Sequence, residues 1–188
     1  MKRLSIRYVV MCVAVGDEKG KYVCGTVMKT LFLLRHAKSS WESSYLADFD
    51  RPLNARGLET APFMGKIIKD NAFQIDLIVS SPAKRARQTA LLVKEAANIN
   101  GEIEYDDRIY EASPYRLLEV VAEIDEKVES ALLVGHNPGF EGLVHLLTGE
   151  IQLMPTAALA VIDLTIERWN EINAHCGSLR KMLRPKEL

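Results

Sequence analysis

The sequence predicts an α/β fold, a three-layer α/β/α sandwich with a mostly parallel central sheet. Three observations predict it. Short apolar runs at Leu31–Leu34, Ile75–Val79 and Ala131–Val134 each stop abruptly at polar residues, the pattern of strands buried on both faces. Segments with apolar residues at helical spacing lie between these runs, and alternation of the two element types implies parallel strands covered on both sides. The chain has 188 residues and 48% hydrophobic content, enough for one substantial core.

Taken in order, residues 1–27 read as an N-terminal extension of uncertain order, ahead of a domain spanning 28–188. A basic start and the short apolar stretch Tyr8 to Val15 imitate a signal peptide, but Asp17-Glu18-Lys19 follows too soon. A poorly packed extension and an upstream start, with Met28 as the natural first residue, both remain open. Gly16 to Lys21 lacks the spacing of a phosphate-binding loop.

The first strand ends at Arg35-His36, and Glu42 to Leu53 reads as a polar loop. Asn54 is a candidate cap for a helix over Ala55 to Asp70. Pro62 lies inside that segment, so the helix is expected either to kink there or to begin later, capped by Thr60. The second strand ends in Ser80-Ser81-Pro82, with Pro82 suited to the first turn of a helix over Ala83 to Ala97. Ile103 to Tyr105 reads as a short strand. Ser113-Pro114 reads as a cap and first-turn pair opening a helix to about Ile124. The third strand ends at Gly135-His136-Asn137-Pro138-Gly139, before a helix from Phe140 to Leu147. Ala157 to Leu164 reads as a strand, Trp169 to His175 as its antiparallel neighbour, and Arg180 to Leu188 as a loose tail.

Charge excludes some functions. Charged residues are 26% of the chain and the net charge is -1, so there is no broad positive field for nucleic acid or an anionic membrane. No apolar run is long enough to span a bilayer. The three cysteines, Cys12, Cys24 and Cys176, are scattered and lack metal-ligand spacing, which fits a reducing cytoplasm. Any phosphate site must therefore be a local cluster of cations.

Three strand ends offer such a cluster. In parallel sheets, ligands bind beyond the carboxyl ends of the strands. Arg35-His36 stands at the first, Ser81-Pro82 with Arg85 at the second, Gly135-His136 at the third. A neutral imidazole is a nucleophile near pH 7, and a guanidinium is a permanent cation with a planar fork suited to phosphate. Helix N-termini add backbone donors at the same place. Two histidines and two arginines meeting there would suit phosphoryl transfer, which is catalysed by positioning and charge stabilisation.

The ordered motifs resemble the histidine phosphatase superfamily, the phosphoglycerate-mutase-like proteins with an Arg-His-Gly or Arg-His-Ala signature, and most nearly its short SixA-type phosphohistidine phosphatase branch. The resemblance runs from Met28 to the end. It rests on Leu33-Leu34-Arg35-His36-Ala37-Lys38, Asp50-Arg51-Pro52-Leu53-Asn54-Ala55-Arg56-Gly57, Ser81-Pro82 with Arg85-Ala86 and Gln88-Thr89, Gly135-His136-Asn137-Pro138, and Pro155-Thr156-Ala157-Ala158.

That resemblance implies His36 as the nucleophile, Arg35 and Arg85 as holders of the phosphoryl oxygens, and His136 as the second pocket histidine. Glu111 is the candidate general acid, weighed against a plain loop carboxylate. Ser39 is a candidate phosphate ligand or a cap of the turn after the strand. Asp48 and Asp50 read as solvated loop acids or caps. His145 reads as a core or boundary histidine, and Trp41 and Trp169 as packing residues. No metal or other cofactor is expected, since the cations would do the metal's work. The chain has no room for the large cap insertion of bigger family members. The implied substrate is a phosphohistidine-bearing signalling protein. A small phosphorylated metabolite is the alternative, and a non-catalytic phosphate-binding module on the same fold is a further one.

Overall fold

The computed structural model describes residues 13–16, 22–25, 29–41 and 45–188. The expectation for residues 1–27 lies mostly outside these. Within them, β1 (Val13–Gly16) and β2 (Tyr22–Gly25) form a two-stranded antiparallel ladder.

The main sheet has six strands: β3 (Lys29–Arg35), β4 (Leu77–Ser80), β5 (Ile103–Tyr105), β6 (Ser130–Gly135), β7 (Leu159–Leu164) and β8 (Gly177–Leu183). Their order is β5-β4-β6-β3-β7-β8. The first four are mutually parallel; β7 runs antiparallel to β3, and β8 antiparallel to β7. The sheet is thus mostly parallel, with β6 and β3 at its centre.

Alternation along β3 builds the layers. Leu31 and Leu33 face a core shared with α3 (Pro114–Ala122) and α4 (Gly139–Thr148). Phe32 and Leu34 face the opposite core, shared with α1 (Ala55–Asp70) and α2 (Lys84–Ala97). Both faces of β3 are dry, which is why its sequence shows a continuous apolar run rather than alternation.

Local chemistry sets the helix starts. Asn54 Oδ1 accepts from the Gly57 amide at 2.9 Å, so α1 begins at Asn54 and not at Thr60. Thr60 instead donates its hydroxyl to the Arg56 carbonyl. Pro62 sits inside a continuous helix; the carbonyl it leaves unbonded belongs to Leu58, which is half-exposed, so water can take the bond. α2 begins at Lys84, with Ala83 at the N-cap position and no side-chain capping bond, so Pro82 lies ahead of the first turn and not within it. Ser113 caps α3 with Pro114 in its first turn.

Two expectations at the end of the chain are corrected. Trp169–Glu171 is a 3-10 turn, not a strand. The antiparallel neighbour of β7 is β8, which begins after the expected strand and takes in Arg180 to Leu183 of the expected loose tail. Arg180 is tied to the buried Asp163 of β7 by an ion pair. No helix among the described residues is long and apolar enough to cross a membrane.

Candidate active site

Because β3, β4 and β6 are parallel neighbours, their carboxyl ends open on one edge of the sheet. Arg35 is in register with Gly135, and Ser80 with Val134. The turn before β7 arrives at the same edge, where the Ala157 amide donates to the carbonyls of both Arg35 and His36 at 3.1 Å. A side chain at Gly135 would collide with Phe140 and Ile109, so the close approach of α4 to the end of β6 requires glycine.

His36 is buried, with its amide bonded to the Gly135 carbonyl. Its Nδ1 donates to the Ala37 carbonyl at 2.8 Å. A carbonyl can only accept, so Nδ1 carries the proton and Nε2 carries the lone pair. Burial pushes its pKa down to about 4; the Ala37 carbonyl opposes this, and the Arg85, Arg35 and Arg51 guanidiniums reinforce it. The imidazole is therefore neutral at pH 7.

His136 lies against it, with ring centroids 5.0 Å apart. Its Nε2 and the Ser81 hydroxyl share a 2.8 Å hydrogen bond, and its Nδ1 is buried with no hydrogen-bond partner. Burial pushes its pKa down to about 3, helped by His36, Arg85 and Arg35 and opposed by Asp48. The Tyr110 ring meets its face edge-on, with centroids 5.5 Å apart.

The arginines are held on different sides. Arg35 donates from Nη1 to the Met154 carbonyl at 2.8 Å, while its buried Nε is unpaired. Arg85 projects inward from the first turn of α2, whereas its neighbours Lys84 and Arg87 are exposed, as helical spacing requires. Arg85 grips Asp48 twice, at the backbone carbonyl and at Oδ2, the latter 2.8 Å away. Behind it, Thr89 accepts from the Ala37 amide and donates to the Arg85 carbonyl, locking α2 to the end of β3.

Two residues not given a role in the sequence complete this side. Arg51 is buried and donates to Asp48 Oδ1 at 2.7 Å, Ser39 Oγ at 2.7 Å and the Ser40 carbonyl at 2.9 Å. Asp48 is not a plain solvated acid. It bridges Arg51 and Arg85 and accepts from the Tyr110 hydroxyl at 3.0 Å. Partial burial raises the Asp48 pKa, but the bonds from Tyr110, Arg85 and Arg51 outweigh it and keep the carboxylate ionised. The Asp50-Arg51-Pro52-Leu53 motif carried a signal for Arg51; nothing in the sequence distinguished Asp48 from Asp50.

Ser39 is buried, accepts from Arg51 and forms a β-bridge with Leu53, so it sits within the loop network beside His36. Glu111 is exposed and adopts a left-handed backbone (φ 51°) directly after Tyr110. Trp41 is 76% exposed rather than packed, and Arg51 lies over its ring at 3.3 Å. His145 is exposed, not a core residue. Trp169 is fully buried, as expected.

A pair of neutral histidines flanked by three guanidiniums at strand ends is suited to receiving a phosphoryl group, and this defines the class of site. The chain belongs to the histidine phosphatase superfamily (branch 1), whose family model matches residues 31–137. Among solved structures, it is similar to a protein from Agrobacterium tumefaciens provisionally assigned as the phosphohistidine phosphatase SixA. The identity is 34% and the TM-score 0.72, covering 84% of this chain and 98% of that one. An uncharacterized protein of Mycobacterium tuberculosis is 29% identical over 157 residues, 78% of this chain and 96% of its own. PhoE of Bacillus subtilis, an uncharacterized phosphatase, is 27% identical over 195 residues, covering 82% of this chain and 100% of its own.

Proposed function

We propose that this chain is a phosphatase that works through a covalent phosphohistidine on His36 and acts on phosphohistidine carried by a protein. The observation that carries this reading is the Nδ1 bond from His36 to the Ala37 carbonyl, which leaves a neutral imidazole with its lone pair on Nε2 among cations. In the first step a bond forms between Nε2 and phosphorus as the substrate's own N–P bond breaks. The leaving imidazole nitrogen takes the electron pair of that bond and a proton from solvent. In the second step water attacks phosphorus and loses a proton to solvent, and His36 leaves with the N–P electron pair, giving inorganic phosphate. Splitting the reaction in two replaces one hard step with two easier ones.

Arg35 and Arg85 take the phosphoryl oxygens and stabilise the charge that spreads over them. When the Ser81 hydroxyl donates to His136 Nε2, the unpartnered Nδ1–H of His136 is free to donate to another phosphoryl oxygen. A bound dianion reverses the local field and raises the proton affinity of His136 as charge develops. Ser39, accepting from Arg51, keeps its own proton for the same group. Glu111 is the candidate proton source for a leaving oxygen; an imidazole leaving group depends on it less. The guanidiniums supply the positive charge a metal would, so the chemistry is assigned no metal.

Support for a protein substrate comes from the open ground beside Arg35, a groove of about 640 Å³ whose wall includes the exposed Ile151 and Leu153. The similarity to the SixA protein of Agrobacterium tumefaciens points the same way. The test is phosphate release from a phosphotransfer domain phosphorylated on histidine, beside release from a simple phosphate monoester. The reading expects the domain to have the higher kcat/KM, and His36→Ala to lose about 10³-fold or more on both. Efficient turnover of the monoester alone would assign the site to small metabolites; phosphate binding without turnover would make it a binding module.

A further inference from the structure

Resting on that reading, we propose that the notch between α1 and the C-terminal segment is a docking site for acidic side chains of the substrate protein. The notch, about 200 Å³, is lined by Lys38, Arg56, Thr60, Pro155, Thr156, Pro185 and Lys186. Among the described residues, three cations line it and no carboxylate does. Lys38, Arg56 and Lys186 are all exposed, and among the described residues none of them forms an ion pair. With no ion pair among the described residues, their charged ends are available to a partner.

The notch is tied to the candidate active site by the chain itself. Lys38 follows His36 by two residues. Its carbonyl is pinned by the Asn54 amide and overlaid by Gly57, where any side chain would come within 2.2 Å of it. Lys38 and Arg56 are therefore held on one rigid corner between β3 and α1. On the other side, Pro155 is shared with the groove that contains Arg35, Ile151 and Leu153. The acidic groups of that groove are already used: Glu141 accepts from the Met154 amide, and Glu187 pairs with Arg184. The continuous surface thus runs from Arg35, across two exposed apolar side chains and Pro155, into an uncompensated cationic notch. The occupant that fits is a folded protein domain whose phosphohistidine is bordered by an apolar patch and by carboxylates. Charges placed at the rim of an interface speed encounter and select partners more than they deepen affinity.

The test uses the full chain, a triple variant (Lys38→Ala, Arg56→Ala, Lys186→Ala) and two substrates with the same scissile bond: an acidic phosphotransfer domain phosphorylated on histidine, and free phosphohistidine. The variant is expected to lose about tenfold in kcat/KM on the domain, mostly through KM, and to keep wild-type turnover of free phosphohistidine. The wild-type rate on the domain should fall with added salt, and the variant's should be nearly flat. Equal losses on both substrates, or no loss on the domain, would overturn the docking site while leaving the phosphohistidine reading intact. Failure of the wild type to act on either substrate would overturn both.

Discussion

At the residue scale, Asp48 decides how the cations are arranged. Arg51 and Arg85 are each more than nine-tenths buried and would repel one another without a shared anion. Asp48 gives Arg51 one carboxylate oxygen and Arg85 the other, and Tyr110 steadies the second. Asp48→Asn keeps the shape but turns an NH2 donor toward one guanidinium. Hydrogen bonds to charged groups contribute about 1.5–3 kcal/mol, so kcat/KM should fall by about ten- to a hundredfold. Steady-state kinetics on a phosphohistidine substrate check this, and unchanged kinetics would mean that neither the charge of Asp48 nor its hydrogen bonds matter to turnover. This network was not legible in the sequence. Arg35, His36, Arg85 and His136 announce themselves beside strand ends, whereas Asp48 acquires its partners only when its loop folds over α2. Asp50, two residues away, has the same chemistry and no such partners among the described residues.

At the element scale, the tight contact is between α1 and α2. A side chain at Gly65 would come within 2.7 Å of the Val93 carbonyl and 2.8 Å of the Ala96 side chain. Gly65→Val should force the helices apart at a cost of about 1–3 kcal/mol, visible as a lower midpoint in denaturant. The kcat of the folded fraction should change little, because Arg85 stands at the opposite end of α2 from Ala96. The central strands and two of the four caps, Asn54 and Ser113, could be read from sequence because burial on both faces and side-chain capping are local patterns. β8 could not. It is an edge strand paired only to β7, and its Arg180 and Lys181 read as polar tail. Trp169–Glu171 misled for the opposite reason: its apolar anchor, Trp169, is fully buried, yet the backbone around it is a turn.

At the scale of the whole molecule, burying two imidazoles side by side ties stability to pH. Both histidines titrate lower in the folded protein, at about 4 for His36 and about 3 for His136, than the 6.5 of a free imidazole. The unfolded chain therefore binds more protons below pH 6.5. Stability should be fully present above that value and fall as pH drops toward 4, by about 2.7 kcal/mol per unit while both sites are neutral only in the fold. Denaturant midpoints between pH 7 and 4 check the slope, and the double variant His36→Gln, His136→Gln should lose most of it. The same parallel sheet that buries these rings also explains what was legible overall. Strand order brings motifs separated by a hundred residues to one edge, so their chemistry could be read singly, while their contacts with the intervening loops could not.

The proposed catalysis requires His36 to become phosphorylated. The direct measurement is to mix the protein with a phosphorylated phosphotransfer domain, quench in alkali within the first turnover, and map the phosphoryl group by mass spectrometry. The expected result is a transient adduct on His36, sensitive to acid, and none on His136 or in His36→Ala. A phosphoryl group on another residue, or undiminished turnover by His36→Ala, would contradict it.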